Sequence, residues 1–357
     1  MEETMMTKRP KSLRRTKRTK KKRALRFLLL TMMLTFVAVI LYGVSLFSKT
    51  QVAVDRAYEA LDGRPTTING KKIEPAKDNI SILLLGVDDS EARGQEEASR
   101  TDAMLVATFN PKERDVQLLS IPRDSYVYIP EVGREDKITH AYAFGGVKAA
   151  VEAVEGTLDI PIHYYMEMNF DGFIGVVDAL GGIDVEVPYE RIEKDEKDAN
   201  AIHLMPGEQT LDGRHALALA RTRKLDSDVE RGKRQQMIIQ AMLDKASSIQ
   251  SIGKYGAIID EVGHNMKTNM TLNEMFGLLE YTKKGMPHVE MLTLDGTDDW
   301  SSGIYYYMLD EESVADVRYR LKKQLGLLSD SSRSQLSTNE VSNPMNDSPY
   351  GERSIYN

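Results

Sequence analysis

The chain has 357 residues, a formal net charge of −7 and no cysteine. That length suits one large domain or two modest ones, and the missing cysteine excludes a disulfide framework, so any folded part must rest on its own core. The net charge conceals a split: residues 1–26 carry twelve Lys and Arg against two Glu, and the remainder sums to −17.

Directly after the basic run, Phe27 to Phe47 is a stretch of twenty-one residues without a charge. It is long enough to cross a bilayer as a helix. A secretory signal normally has an apolar region of only about 7–15 residues, and Val44–Lys49 offers no small-x-small cleavage site. The expectation is an uncleaved anchor at 27–47 behind a basic cytoplasmic tail at 1–26. Basic residues flanking a span stay in the cytoplasm, which puts residues 48–357 outside the cell membrane in a single-pass arrangement. Topology accounts for the basic run, so no nucleic-acid partner is expected. Residues 48–78 predict a juxtamembrane helix from Val52 to Leu61 and a turn-rich connector from Asp62 to Pro75.

The folded region is expected over 79–327. Ile80 to Leu85 is a nearly continuous apolar run, typical of a strand buried on both faces. Ala103–Phe109 and Asp115–Ile121 flank the turn Asn110–Arg114 and read as a hairpin. Helical patterns follow at Gly146–Glu155, Phe170–Leu180, Leu211–Ala220 and Val229–Ile249, with shorter strands at Tyr164–Met168, Asp184–Val187 and Val289–Leu294. Mixed strands and helices in this order predict a layered α/β sheet with helices on its faces. Residues 328–357 are polar and poor in apolar residues, and are expected to be disordered.

Polar residues cluster at the ends of the first three strands. Asp88 follows the first, Arg100 and Asp102 precede the second, and Arg123 and Asp124 follow the third. If the first strand runs parallel to the third, all five converge on one rim, where open α/β sheets usually bind ligands. Two carboxylates with few other donors suit Mg²⁺, which often takes one or two carboxylates and completes its shell from phosphate oxygens and water. A second arginine cluster lies at Arg221, Arg223, Arg231 and Arg234. Guanidinium forks grip phosphate oxygens two at a time. Arg231, Arg234 and Gln235 stand at i, i+3 and i+4 on one helical face, with Asp228 as a plausible N-cap. A solvated basic face is the competing reading of this segment. No Walker-type loop is present. The histidines at 140, 163, 203, 215, 264 and 288 lack metal-like spacing, and no Gly-x-Ser-x-Gly elbow supports a serine triad.

The motifs Leu84–Asp88, Arg100–Met104, Leu119–Asp124, Lys137-Ile138, Ala141–Gly146, Val177–Ile183 and Leu211–Leu217, with the arginine segment, resemble the LytR-CpsA-Psr family from about Asn79 to Gln236. Thr139-His140 departs from the family pattern, where an Asn is expected after Lys137-Ile138. The resemblance implies an α-β-α sandwich around a central mixed sheet, preceded by one transmembrane helix, with an apolar tunnel for a polyprenyl chain. It implies a phosphotransferase that moves a glycopolymer, such as wall teichoic acid or capsule, from undecaprenyl pyrophosphate to a muramic acid hydroxyl of peptidoglycan. Carried over by motif position, Asp88 and Asp102 would hold Mg²⁺, or Mn²⁺ in its place. Arg100, Arg123, Arg221, Arg223, Arg231 and Gln235 would bind the pyrophosphate, with Arg123, Asp88 and Asp102 at the reacting centre. Asp88 and Asp124 are the candidate general bases, and the apolar positions of the Phe170–Leu180 helix are candidate tunnel residues. Two other functions use the same residues: a polyprenyl-pyrophosphate hydrolase, and a non-catalytic envelope sensor. Direct control of transcription is not expected, because about 26 cytoplasmic residues are too few for a helix-turn-helix domain.

Overall fold

The computed structural model describes residues 32, 35, 40–61, 67–68, 71–88, 100–195, 201–222, 227–248, 254–279 and 287–328. Its centre is a six-stranded mixed sheet. The strands are β1 (Ile80–Asp88), β2 (Arg100–Asn110), β3 (Asp115–Ser120), β4 (Tyr164–Asn169), β5 (Met266–Thr268) and β6 (His288–Thr293). They lie in the order β5-β4-β1-β2-β3-β6. β1–β2, β2–β3 and β5–β4 pair antiparallel, while β1–β4 and β3–β6 pair parallel. β1 and β3 therefore run in the same direction with β2 between them, the arrangement that brings their ends to one edge.

Period-2 alternation sorts the side chains of β1 and β2 between two layers. Leu83, Leu85, Val87, Met104 and Val106 point into a core shared with α2 (Ile138–Leu158) and α8 (Glu311–Gln324). Leu84, Leu105 and Ala107 face the opposite side. There the sheet is covered by α3 (Phe170–Leu180), α4 (Gly213–Arg221), α5 (Asp228–Ser247) and α6 (Tyr255–Asn265). Helices on both faces of a mixed sheet match the expected architecture. Among the described residues, two further helices, α1 (residues 40–57) and α7 (Leu272–Leu279), and five two-stranded ribbons surround this frame.

α3 has the bounds its pattern predicts. The Asn169 side chain caps its start by accepting from Gly172 N, and Gly181 ends it in the left-handed region at φ 81°. Elsewhere the boundaries move. α2 begins at Ile138, eight residues before the predicted Gly146, and is interrupted by non-helical backbone at Gly145 and Gly146. α4 starts at Gly213, with Asp212 as its N-cap, because Leu211 belongs to a strand. The cap of α5 is Ser227, whose side chain accepts from Glu230 N, not the predicted Asp228. Asp184–Val187 lies within a strand (Ile183–Val187), but that strand pairs with Gly207–Leu211 outside the central sheet.

The predicted span at 27–47 falls largely outside the described residues, as do the tail beyond 328 and most of the connector at 62–70. Among the described residues no helix is long and apolar enough to cross a membrane. Residues 40–57 form one continuous helix, so the predicted juxtamembrane helix begins before Val52 and ends before Leu61. Lys49 pairs with Asp260 of α6 at 2.9 Å, and Phe47 stacks on Phe276 of α7.

Candidate functional site: a charged rim over an apolar cavity

The edge formed by the end of β1, the start of β2 and the end of β3 carries the predicted cluster. Asp88 is the last residue of β1, 3% exposed, and Arg100 is its cross-strand partner in the backbone register. The Arg100 side chain lies outside the described residues. Asp102 owes its position to an irregularity. Gly86 pairs with Ala103 but Val87 pairs with Thr101, so Asp102 is an extra residue on β2. Strict alternation would send Asp102 with Met104 and Val106 into the α2 core. The bulge turns it onto the other face, beside Ala103 and Leu105.

Arg123, in the turn after β3, forms an ion pair with Asp102 through Nη1 and approaches Asp124 through Nε at 3.5 Å. Burial alone would lower the pKa of this guanidinium. The carboxylates of Asp102, Asp124 and Asp228 outweigh that effect and hold it above the usual arginine value. Its Nε is buried without a hydrogen-bond acceptor among the described residues. Asp124 also accepts an ion pair from Lys137 Nζ at 3.0 Å. Asp124 thus bridges two cations, Arg123 and Lys137.

The second arginine cluster meets the same rim from the opposite layer. Arg221, at the end of α4, lies over the Phe170 ring at 4.9 Å and donates to the Asp195 carbonyl at 3.2 Å. Arg231, 4% exposed, donates to Asp228 Oδ2 at 3.0 Å within the first turn of α5. Gln235, one turn further, reaches the Asp102 and Ala220 carbonyls at 3.5 and 3.4 Å. Arg234 leaves this face. Its guanidinium is buried and donates to the Leu219 and Thr222 carbonyls, tying α5 to the end of α4. The solvated basic face therefore does not form for Arg231 and Arg234. Arg223 lies outside the described residues.

Below this rim is a cavity of about 830 Å³ between the sheet and helices α3–α6. Asp102, Arg123, Arg221, Arg231 and Gln235 stand at one end, and the rest of the wall is mainly aliphatic, methionine and phenylalanine side chains. Phe170, Phe173, Val176 and Leu180 of α3 line it, as the tunnel expectation requires. Val177 instead packs in the core. Glu193 and Lys194 also line the wall, and sequence reasoning missed them. They sit on a short, half-exposed ribbon (Arg191–Lys194 with Ala201–Leu204) whose four-residue strands are too brief to give a strong periodic signal. Thr139, which departs from the expected motif, is buried and donates to the Thr101 carbonyl at 2.6 Å, stitching α2 to β2.

Among the described residues no group of three or more His, Asp or Glu is placed to hold a metal ion. The donor set at the rim is instead two carboxylates, Asp88 and Asp102, on adjacent strands. Asp102 pairs with Arg123 and lines the cavity, while Asp88 ends the neighbouring strand. This set fits Mg²⁺ and lacks the imidazole ligands that zinc prefers. None of the six histidines is at the rim's centre. His163 is buried behind the sheet, where its Nδ1 accepts from the Ser81 backbone N–H at 3.1 Å. Burial pushes its pKa down to about 4.

A buried arginine cluster facing a hydrocarbon-lined cavity suits a ligand with a polyanionic head and a long apolar tail. Known proteins resemble this chain throughout that region. A polyisoprenyl-teichoic acid–peptidoglycan teichoic acid transferase, TagT of Bacillus subtilis strain 168, is 39% identical over 321 residues, covering 89% of this chain and 99% of the relative. TagU of Halalkalibacterium halodurans, with the same described activity, is 38% identical over 297 residues, covering 82% and 94%. Among solved structures, TagT bound to LIIa-WTA superposes with a TM-score of 0.62 at 38% identity, covering 75% of this chain and 99% of that one. YwtF (TagT) with bound octaprenyl pyrophosphate lipid gives 0.58 at 36% identity, covering 75% and 99%. The family profile matches residues 43–323, and the chain belongs to the LytR_cpsA_psr family.

Proposed function

We propose that this protein is a membrane-anchored phosphotransferase that moves a glycopolymer from a polyprenyl pyrophosphate carrier to a hydroxyl of peptidoglycan, forming a phosphodiester. The observation that carries the reading is the cavity of about 830 Å³, apolar along its length and armed at one end with Asp102, Arg123, Arg221, Arg231 and Gln235. The relatives named for transfer of teichoic acid, and the relative holding octaprenyl pyrophosphate, support it.

In this reading the prenyl chain lies against α3 and α5, with about 0.8 kcal/mol gained per buried methylene. The pyrophosphate sits at the arginine rim, where each charge-assisted hydrogen bond contributes roughly 1.5–3 kcal/mol. The acceptor hydroxyl oxygen bonds to the phosphorus that carries the sugar, and the bridging P–O bond breaks. Polyprenyl phosphate leaves with the electron pair, and the hydroxyl proton passes to water or to a rim carboxylate. Phosphoryl transfer depends mainly on positioning and on neutralising charge that spreads over the transferring oxygens. Arg123 is held rigidly for this by Asp102 and Asp124, while Arg221 and Arg231 approach from the helical layer. Asp88 and Asp102 would hold Mg²⁺, which supplies further charge neutralisation at the phosphate oxygens.

The test is a transfer assay on the full chain in detergent, with a synthetic polyprenyl-pyrophosphate disaccharide and peptidoglycan oligomers, in Mg²⁺ or chelator. Metal-dependent appearance of sugar phosphate on the glycan is expected. Release of sugar phosphate into solution without transfer would move the function to a hydrolase. Binding without turnover would leave a sensor.

A further inference from the structure

Next to the rim, joined to it through Asp124 and Lys137 but outside the cavity lining, stands an aromatic cluster that the reaction described so far does not use. The ribbon Gly296–Asp299 with Tyr306–Leu309 projects a tip carrying Trp300, 64% exposed, and Tyr305, with ring centroids 5.0 Å apart. Trp300 is the chain's single tryptophan. The tip is held in shape: Tyr305 donates its hydroxyl to Asp298 at 2.9 Å, and Gly303 N–H closes a turn on the Trp300 carbonyl at 2.9 Å. The base of the ribbon is fixed to the rim, since Tyr307 N–H donates to the Asp124 carbonyl at 2.9 Å. Lys137, the ion-pair partner of Asp124, lies over both the Tyr305 and Tyr306 rings at 5.6 and 5.7 Å. None of Lys137, Trp300, Tyr305 and Tyr306 lines the cavity.

We infer that this aromatic tip is the binding platform for the acceptor glycan; the inference rests on the transferase reading and adds its second substrate site. Two observations select a saccharide. A large exposed ring, Trp300, backed by the half-buried Tyr305 with its polar handle, suits a ligand with one apolar and one hydroxylated face, as a pyranose has. The flanking Asp298 and Asp299, which already accept from the Tyr305 hydroxyl and from Ser301, place polar groups beside the rings where sugar hydroxyls and amides would lie. Geometry selects the acceptor rather than the donor. In phosphoryl transfer the attacking and leaving oxygens stand roughly in line across phosphorus. With the leaving polyprenyl phosphate directed into the cavity, the incoming hydroxyl would arrive from outside it, and the platform adjoins the rim without lining the cavity. A platform joined to Arg123 through Lys137 and Asp124 also couples glycan position to the rim. The outward Trp300 ring suits a glycan of alternating N-acetylated hexoses, whose acetyl methyls add apolar contact.

Trp300 makes the site its own reporter. Uncrosslinked peptidoglycan glycan oligomers titrated into the full chain in detergent should change its tryptophan emission saturably, and Tyr305→Ala should weaken that binding at least tenfold. In the transfer assay, Trp300→Ala should raise the acceptor KM tenfold or more while the donor KM stays within twofold, and Tyr305→Phe should keep most of the acceptor affinity. An unchanged acceptor KM, or a rise in the donor KM instead, overturns the inference. If the wild type transfers nothing yet the emission titration saturates and Tyr305→Ala abolishes it, the platform stands and the transferase reading fails. If transfer proceeds and emission stays flat, the platform fails alone.

Discussion

Arg123 is gripped by carboxylates from two sides. It is paired with Asp102, aligned by Asp124 and set above its usual pKa by three carboxylates, so it stays charged throughout any physiological range. Arg123→Ala is expected to reduce transfer by at least a thousandfold with the thermal unfolding midpoint nearly kept, measured by the sugar-phosphate assay beside a melting curve. Asp124→Asn tests positioning: it leaves Arg123 in place but loosens it, and should lower kcat ten- to a hundredfold with donor KM nearly constant. A separate residue governs pH stability. His163 has a folded pKa of about 4, against 6.5 for an ordinary solvated histidine. Below about 6.5 the unfolded chain takes up a proton that the buried ring refuses. Stability is therefore full above that value and falls as pH drops toward 4, by about 3 kcal/mol in all. Denaturant titrations at pH 7 and pH 4 should show this loss, and His163→Asn should flatten that part of the slope. At this scale the sequence made Asp88, Arg123 and Asp102 visible, because hairpin topology brings their strand ends together. It did not reveal the β-bulge that turns Asp102 toward the cavity, since one extra residue in a ladder leaves no periodic trace.

The elements that carry the arginines are set by close approaches. α5 lies so near the end of β3 that a Cβ on Gly232 would collide with the Ser120 side chain. That approach places Arg231 and Gln235 of α5 at the rim. Next to it, Gln236 is buried and donates to the Leu118 and Leu292 carbonyls at 2.7 and 2.8 Å, bridging β3 and β6 to the helix. Gly232→Val is expected to push α5 outward, cutting transfer at least tenfold; soluble yield and a retained cooperative melt would show that the fold survives. α3 was legible in full because its apolar stripe is bounded by Asn169 and Gly181, two strong end signals. The ribbons at Tyr126–Lys137, Arg191–Leu204 and Gly296–Leu309 were not, because short two-stranded ribbons owe their shape to neighbours rather than to alternation. That is why Lys137, Glu193 and the aromatic tip escaped the site prediction. α4 and α5 were found, yet α4 starts two residues after the predicted Leu211 and the cap of α5 is one residue before the predicted Asp228, since several adjacent residues there are competent caps.

At the scale of the whole molecule, the cavity and the amino-terminal helix meet on α6. Ile258 on α6 lines the cavity, while Asp260, Gly263 and His264 on the same helix face α1. The contact is close: a Cβ on Gly263 would stand 2.5 Å from that of Ala53, and Arg56 Nη1 lies 2.9 Å from His264 Nε2. α1 includes residues 40–47 of the apolar segment at 27–47, and its first turns leave Leu41, Val44 and Phe47 at least half exposed. With the proposed anchor at 27–47 and the proposed lipid carrier, a rigid α1–α6 contact would fix the cavity at a set angle and height above the bilayer, so that the carrier passes its tail into the cavity without leaving the membrane altogether. Gly263→Leu should unseat α1 without touching the rim. With the full chain in vesicles, turnover of a long-chain donor embedded in the same bilayer is expected to fall at least tenfold. Turnover of a short-chain donor in detergent, which needs no alignment with a membrane, should stay within about twofold of the wild type. Equal losses in both assays would show that the contact serves the core alone, and equal retention would show that the linker delivers the lipid without it.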